Sequence, residues 1–301
     1  MFLRIMHASI LICLCKILAC IIKWVYYLYM DRIVVITGGT SGIGYELKCF
    51  FEAFGDRVIT ISRRIIADDV CHYACDVTDK EQLKKVFADI ATRFGRVDVL
   101  VNNAGYGLSG ITELLETDAI KKQFDVNFMG VVNASQCALQ YMQKGGKIIN
   151  ISSAMALFPV PYRAMYASSK SAVLTLSYAM RMELKGAGID VVAICPGDIR
   201  TPFTQNREKH YDTNNRYGDC MERVTLKLDS KQNKRMDVKL CAQKIYKIIN
   251  KKRTKPMYII GAKYKFLYFI SNITPKSWLI NITGKMLDGR NYEKNRDSET
   301  K

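Results

Sequence analysis

The sequence has no cysteine framework. Ten cysteines in 301 residues follow no regular spacing, which argues against a disulfide-stapled fold and for reduced core and helix thiols in a reducing compartment. Cys71 and Cys75 flank His72, but their spacing and the lack of a second ligand pair argue against zinc, and no metal is expected. No internal repeat and no low-complexity block is present. Acidic residues are scarce: 28 Asp and Glu against 45 Lys and Arg leave a formal charge of +17. No helix-turn-helix, zinc-finger or ribonucleoprotein motif accompanies that charge, so nucleic acid is not the expected partner. Much of the excess lies late, in DSKQNKRMDVK, KIINKKRTK and AKYKF, bordering apolar aromatic stretches. That pairing favours an anionic membrane surface.

The first 30 residues point the same way. They have the apolar bulk of a membrane helix and an interfacial cluster of Trp24, Tyr26, Tyr27 and Tyr29. Lys16 and Lys23 interrupt them on one helical face. The Leu, Ile and Val residues between Ile5 and Leu28 contribute roughly −3 to −7 kcal/mol, and each central Lys costs about 3 kcal/mol. A tilted span and a helix lying in the interface both fit that balance. A cleaved signal peptide fits poorly, because no small-x-small site ends the run, and ILAC, ending at Cys20, is only a faint lipoprotein site. Residues 1–30 are therefore expected to be a hydrophobic anchor, with the catalytic part, 31–262, facing the cytoplasm, and 263–301 to be a basic aromatic tail that associates with the membrane.

After Met30 short β-branched runs alternate with helix-length segments. RIVVIT, RVITIS, CHYACDV, VDVLVNNAG, GKIINISS, IDVVAICPG and KPMYIIG read as strands. YELKCFFEAFG, KEQLKKVFADIATRFG, 118–143, 165–185 and DVKLCAQKIYKIINKK read as helices. This order predicts an α/β fold, a doubly wound parallel sheet with helices on both faces and ligands at the carboxyl ends of the strands. Residues 203–235 lose the pattern and read as a mobile insertion. The tail to Leu287 has no clean strand alternation.

TGGTSGIG, Thr37 to Gly44, lies between the first strand and the first helix, where backbone amides and a helix N-terminus receive a pyrophosphate. Gly38, Thr40, Ser41, Gly42, Ile43 and Gly44 are the candidate contacts. At the end of the second strand an NAD site usually places an acid. Here the chain reads ISRR, with Ser62 in that place followed by Arg63 and Arg64. Guanidinium groups clamp a 2′-phosphate that a carboxylate would repel. NADP(H) is the expected cofactor. In YASSK, Tyr166 and Lys170 are four apart and so share a helix face.

With TGGTSGIG, NNAG (Asn102 to Gly105) and YASSK in this order, the chain resembles the short-chain dehydrogenase/reductase family over roughly residues 31–262. Its glycine spacing is similar to that of the ordinary-length branch, and its ends suggest the membrane-associated lipid, steroid or retinoid reductases. The resemblance implies a Rossmann-like fold. It implies adenine contacts at Asp76 and Val77, a cleft lined by Asn103, Ala104 and Gly105, and a nicotinamide environment from Pro196, Gly197, Ile199 and Thr201. It implies four catalytic residues: Tyr166 as proton donor, Ser153 (or Ser152) on the substrate oxygen, Lys170 lowering the pKa of Tyr166 and holding the cofactor ribose, and Asn127 keeping a water beside Lys170. Tyr162 is a candidate pocket wall, and the resemblance implies that the insertion at 203–235 is the loop that shapes the substrate pocket.

The expected reaction interconverts a ketone and a secondary alcohol on a hydrophobic substrate such as a ketosteroid, a retinoid, a 3-ketosphingoid base or an acylated dihydroxyacetone phosphate. Rival readings are a membrane-tethered reductase of soluble carbonyls or 3-oxoacyl thioesters, and a non-catalytic NADP-binding sensor or scaffold. A homodimer is compatible with all of them.

Overall fold

A computed structural model describes residues 32–67, 69–214, 216–230 and 235–287. The expected N-terminal anchor and the end of the tail lie outside the described residues. Among the described residues no helix is long and apolar enough to cross a membrane.

The β-branched runs form strands Ile33–Thr37 (β1), Arg57–Ser62 (β2), His72–Ala74 (β3), Val97–Asn102 (β4), Met142–Ile151 (β6), Asp190–Pro196 (β7) and Met257–Ile260 (β11). They pair in the order β11-β7-β6-β4-β1-β2-β3, every pairing parallel. Two-residue bridges, Leu108–Ser109 (β5) with Glu208–Lys209 (β9) and Ile199–Arg200 (β8) with Met236–Asp237 (β10), tie the loops above the sheet. β1 has β2 on one side and β4 on the other. The chain reverses its direction of travel across the sheet there, and such a point opens a ligand crevice at the strand ends.

Alternation within β1 divides the core. Ile33 and Val35 face the helices Lys80–Phe94 (α2), Gly130–Leu139 (α4) and Ala164–Glu183 (α5), packing with Leu83, Phe87, Ala134 and Met180. Val34 and Ile36 face Gly42–Ala53 (α1) and Val238–Ile249 (α7), packing with Leu47, Phe51, Ile245 and Ile249. Both faces are covered, as a parallel sheet requires. Helix α2 shows why its boundaries fall where they do. Asp79 accepts from the Gln82 amide at 2.9 Å at its start, and Gly95 ends it in the left-handed region, at φ 81°.

Two expectations need correction. The helix read over 118–143 is Thr117–Phe124 (α3), a π-helical turn at Asp125–Met129, then α4. It stops at Leu139, and β6 begins at Met142 rather than at Gly146, because the Met142 end of the strand is drawn onto Val97. The stretch read as loose, 203–235, carries β9 and helix Cys220–Asp229 (α6). Its Asp229 pairs with Arg207, Lys209 and Arg235 inside the stretch and with Arg163 outside it, contacts that no local pattern reveals. The tail forms two helices, Ala262–Ser271 (α8) and Lys276–Leu287 (α9). On them Phe266, Phe269, Trp278, Ile280 and Ile282 are exposed, as is Ile273 in the turn between them.

Candidate active site

The glycine-rich loop turns immediately after β1. Gly38 takes φ +67°, and a Cβ on Gly44 would meet the Gly38 carbonyl oxygen at 2.4 Å, so a side chain at 44 would push the helix off the turn. Thr37, a residue the sequence reading left without a role, braces the loop. Its Oγ1 accepts from the amides of Asn103 and Ala104, each at 3.1 Å. Asn103 Nδ2 donates to the carbonyls of Thr37 and Gly38 at 3.1 and 3.0 Å. TGGTSGIG and NNAG are thereby one rigid unit. Ser41 caps α1 without a side-chain hydrogen bond to the helix, which leaves its hydroxyl and the first-turn amides for an anion. Thr201 stands across from Gly42, 3.6 Å from where a Cβ would lie.

At the end of β2, Arg63 and Arg64 are exposed, and neither pairs with an acid among the described residues. His72 fixes the turn that carries them. One ring nitrogen meets Thr60 Oγ1 at 2.7 Å and the other the Arg64 carbonyl at 2.8 Å. Asp76 turns its carboxylate back on its own loop, accepting from the Thr78 amide and hydroxyl at 2.9 Å each. Val77 is buried against Gly130. These residues fit a dinucleotide: a braced turn, an open helix N-terminus and two unpaired guanidinium groups.

The expected catalytic residues converge at the carboxyl ends of β4 and β6 and on α5. Tyr166 and Lys170 are both buried. The Ser153 side chain lies near enough to the Tyr166 phenol to lower its pKa, and its Oγ accepts from the Met155 amide at 3.1 Å, whereas Ser152 Oγ donates to the Lys170 carbonyl at 2.7 Å. The two serines are thus separated: Ser152 ties strand to helix, and Ser153 faces the phenol. Lys170 Nζ donates to the Ile151 carbonyl at 2.9 Å. Burial pulls its pKa down to about 8.

Asn127 sits in the π-helical turn, a deformation common at functional sites. Its Oδ1 accepts from the Tyr106 amide at 3.0 Å. Its Nδ2 donates to the Tyr106 carbonyl at 3.0 Å and to Ser169 Oγ at 3.2 Å. In this state Asn127 locks the chain after NNAG to the catalytic helix. Gly105 makes that approach close, since a Cβ there would stand 2.9 Å from Asn127 Oδ1 and 3.4 Å from Lys170 Nζ.

Tyr166 departs from expectation. Its pKa is raised, with burial the dominant cause. The downward pull comes first from the Ser153 side chain and then from the charges of Arg207 and Arg163. The sequence reading assigned that pull to Lys170 and singled out neither arginine. Phe203 covers the phenol, its ring centroid 5.6 Å from that of Tyr166. Tyr162 takes a positive φ of 62°, and its carbonyl accepts from the Gly110 amide at 2.9 Å.

The Pro196–Gly197 loop is held from outside the site. The Gly197 amide donates to the Ile260 carbonyl at 3.0 Å. The Tyr264 ring of α8 lies directly on Gly197, 2.1 Å from where a Cβ would be, and Tyr264 Oη donates to Asp198 Oδ2 at 2.6 Å. Ile199 is buried beneath, paired with Met236.

A model of the short chain dehydrogenase family matches residues 32–212. The chain belongs to that family. A short-chain dehydrogenase is an oxidoreductase that works between CH–OH and ketone groups with a nicotinamide cofactor. Among relatives of this short-chain dehydrogenase, a 3-ketodihydrosphingosine reductase of Bacteroides thetaiotaomicron is 33% identical over 254 residues, 82% of this chain and 93% of the relative. A 3-oxoacyl-[acyl-carrier-protein] reductase of Thermotoga maritima is 34% identical over 188 residues, 58% of this chain and 76% of the relative. Of solved structures, ElxO with NADP bound has a TM-score of 0.65 at 30% identity, covering 79% of this chain and all of its own. A short-chain dehydrogenase from Streptomyces avermitilis reaches 0.72 at 25% identity, covering 85% of this chain and 97% of its own.

Proposed function

We propose that the protein is an NADP(H)-dependent reductase of a hydrophobic, lipid-like ketone. The observation that carries the catalytic reading is the burial together of Ser153, Tyr166 and, one helical turn on, Lys170, with the Ser153 side chain near enough to the phenol to lower its pKa. Burial raises the Tyr166 pKa, so the phenol keeps its proton at neutral pH and can give it to a substrate oxygen, which suits the reducing direction. The Ser153 hydroxyl orients that oxygen and stabilises the charge developing on it. Lys170 stands ready, with Nζ beside Gly105, to hold a cofactor ribose. The nicotinamide, when bound, supplies the hydride.

The preference for NADP(H) rests on Arg63 and Arg64, exposed and unpaired where an acid would read the ribose of NAD, and on the turn that His72 pins beneath them. The likeness to NADP-bound ElxO supports it.

The lipid-like substrate is supported by the identity to a 3-ketodihydrosphingosine reductase and by helices α8 and α9, which present exposed aromatic and aliphatic side chains among Lys263, Lys265, Lys276 and Lys285. Such a surface suits the interface of an anionic membrane, where we place the protein, its catalytic part on the cytoplasmic side. The deciding experiment offers full-length protein a panel of steroid, sphingoid and acyl ketones with NADPH or NADH. Turnover of a long-chain ketone, with NADPH at least tenfold preferred, is expected. Turnover of small soluble ketones alone would overturn the substrate class, and equal use of the cofactors would overturn the cofactor assignment.

A further inference from the structure

Beside Tyr166 the charges do not balance. Four cations converge on the carboxylate of Asp229, at the end of α6: Lys209 at 2.9 Å, Arg163 at 3.4 Å, Arg207 at 3.5 Å and Arg235 at 3.7 Å. Asp198 adds a second negative charge that Arg163 and Arg207 feel, though its carboxylate also receives the Tyr264 hydroxyl, while Glu208 faces His210 and Lys122. Two positive charges are left over.

The guanidinium groups are not on the surface. The side chains of Arg163, Arg207 and Arg235 are 5%, 6% and 9% exposed. Burial pulls the Arg163 pKa down to about 10 and lowers that of Arg207 as well. A buried, uncompensated charge is costly and calls for a counter-ion.

Arg235 is satisfied by Thr204 Oγ1 at 2.6 Å and the Leu228 carbonyl at 3.0 Å. Arg207 is held less well: its buried Nη1 has the 3.5 Å ion contact with Asp229 but no hydrogen bond. This guanidinium also stands next to the reaction centre. Its Cζ is 6.0 Å from the centroid of the Phe203 ring, the same ring that covers Tyr166.

We propose that Arg207, with Arg163 and Lys209, receives an anionic group of the phosphate class carried by the ketone substrate, one phenyl ring away from the carbonyl that Tyr166 protonates. The inference rests on the ketone-reductase reading above for the place of the carbonyl, and on the charge knot alone for the anion. A guanidinium fork with an N–H that lacks a hydrogen bond matches a phosphate oxygen pair. Binding there would displace or tilt Phe203, so that one event opens the phenol and neutralises the knot.

Two measurements on full-length protein saturated with NADP⁺ test this. In the first, hexyl phosphate, hexanol and inorganic phosphate are titrated calorimetrically into wild type, Arg207→Met and Lys209→Met. Hexyl phosphate is expected to bind at least tenfold tighter than hexanol and than inorganic phosphate, and to lose at least tenfold in both variants. Lys209 is part-exposed, so that variant keeps the test open if Arg207→Met fails to fold. Unchanged affinity in the variants would overturn the inference, and inorganic phosphate binding as tightly as hexyl phosphate would reduce the site to one for a free anion. In the second, a long-chain ketone bearing a phosphate is compared with its phosphate-free alcohol. A kcat/KM ratio of ten or more in wild type, falling towards one in Arg207→Met mainly through KM, is expected. Equal turnover of the two ketones sinks the inference and leaves the reductase standing. Arg207-dependent hexyl phosphate binding with turnover of neither ketone supports the anion site and sinks the reductase reading instead.

Discussion

The aromatic ring of Phe203 lies across that of Tyr166 at 5.6 Å between centroids, tilted by 55°. A phenol so covered is hard to ionise, since the phenolate would lose its hydration. Replacing Phe203 with Ala should let water reach Tyr166 and lower its pKa. The pH at which alcohol oxidation by the variant becomes half-maximal should therefore fall, because that direction needs the phenolate. An unchanged pH profile of kcat/KM would show that Phe203 does not govern the acid.

The serine pair separates cleanly by what is measured. Ser153→Ala should lower kcat by about 10²–10³-fold with little change in stability, as expected for a lost charge-stabilising donor. Tyr166→Phe should lose about 10²–10⁴-fold, the usual contribution of a general acid, while still binding NADPH. Ser152→Ala should instead lose about 1–3 kcal/mol of stability in urea melts, because the Lys170 carbonyl forfeits a buried partner. If Ser152→Ala proved the more damaging to turnover, the two roles would have to be exchanged.

Lys170 predicts a stability signature. Its pKa falls from 10.5 to about 8 on folding, so between those values the unfolded chain holds a proton that the folded one has released. Stability from this residue is lowest below pH 8 and rises with pH across that window. Lys170→Met, which removes the titration, should gain on wild type at neutral pH. That gain should shrink by about 3 kcal/mol between pH 8 and 10.5. Denaturant melts of both proteins across the range would show it, and parallel curves would rule it out.

The sheet and the motif loops were legible in the sequence because they rest on local, periodic signals. β1 alternates between two cores, TGGTSGIG occupies a strand-to-helix turn, and Tyr166 and Lys170 share a helix face. The bracing of the loop by Thr37 and Asn103, and the tie from Asn127 to Tyr106 and Ser169, were hidden, since spacing names neighbours but not partners. The charge knot was hidden more deeply: Arg163 meets Asp229 across 66 residues. For the same reason 203–235 looked patternless, as β9 pairs with β5 and Asp229 with Arg163, both outside the stretch, and with Arg207, Lys209 and Arg235 within it. The raised pKa of Tyr166 was missed because its burial, which exists only in the folded chain, outweighs the charges around it.

Helices α8 and α9 should bring the protein to anionic vesicles. Replacing Phe266, Phe269 and Trp278, each more than 60% exposed, with Ser removes apolar area worth about 1.5–3 kcal/mol per ring when fully buried. Co-sedimentation with phosphatidylserine vesicles should drop at least tenfold, while thermal unfolding stays unchanged. Full retention on vesicles would move the contact to the N-terminal segment.

The glycine at 197 and the tyrosine at 264 set each other's limits. Gly197→Ala places a methyl group inside the Tyr264 ring, so α8 should detach. Hydrogen exchange over 262–271 should then rise to that of an exposed helix, and an unaltered exchange pattern would show that the helix has another seat.

The same contact governs how the chain can be recombined. A catalytic part borrowed from a relative with a side chain at 197 cannot accept this tail, nor can a tail lacking the ring fill the hollow left above the glycine. Two positions 67 residues apart are thus a single unit of exchange, and a chimaera joined anywhere between them must carry both or neither.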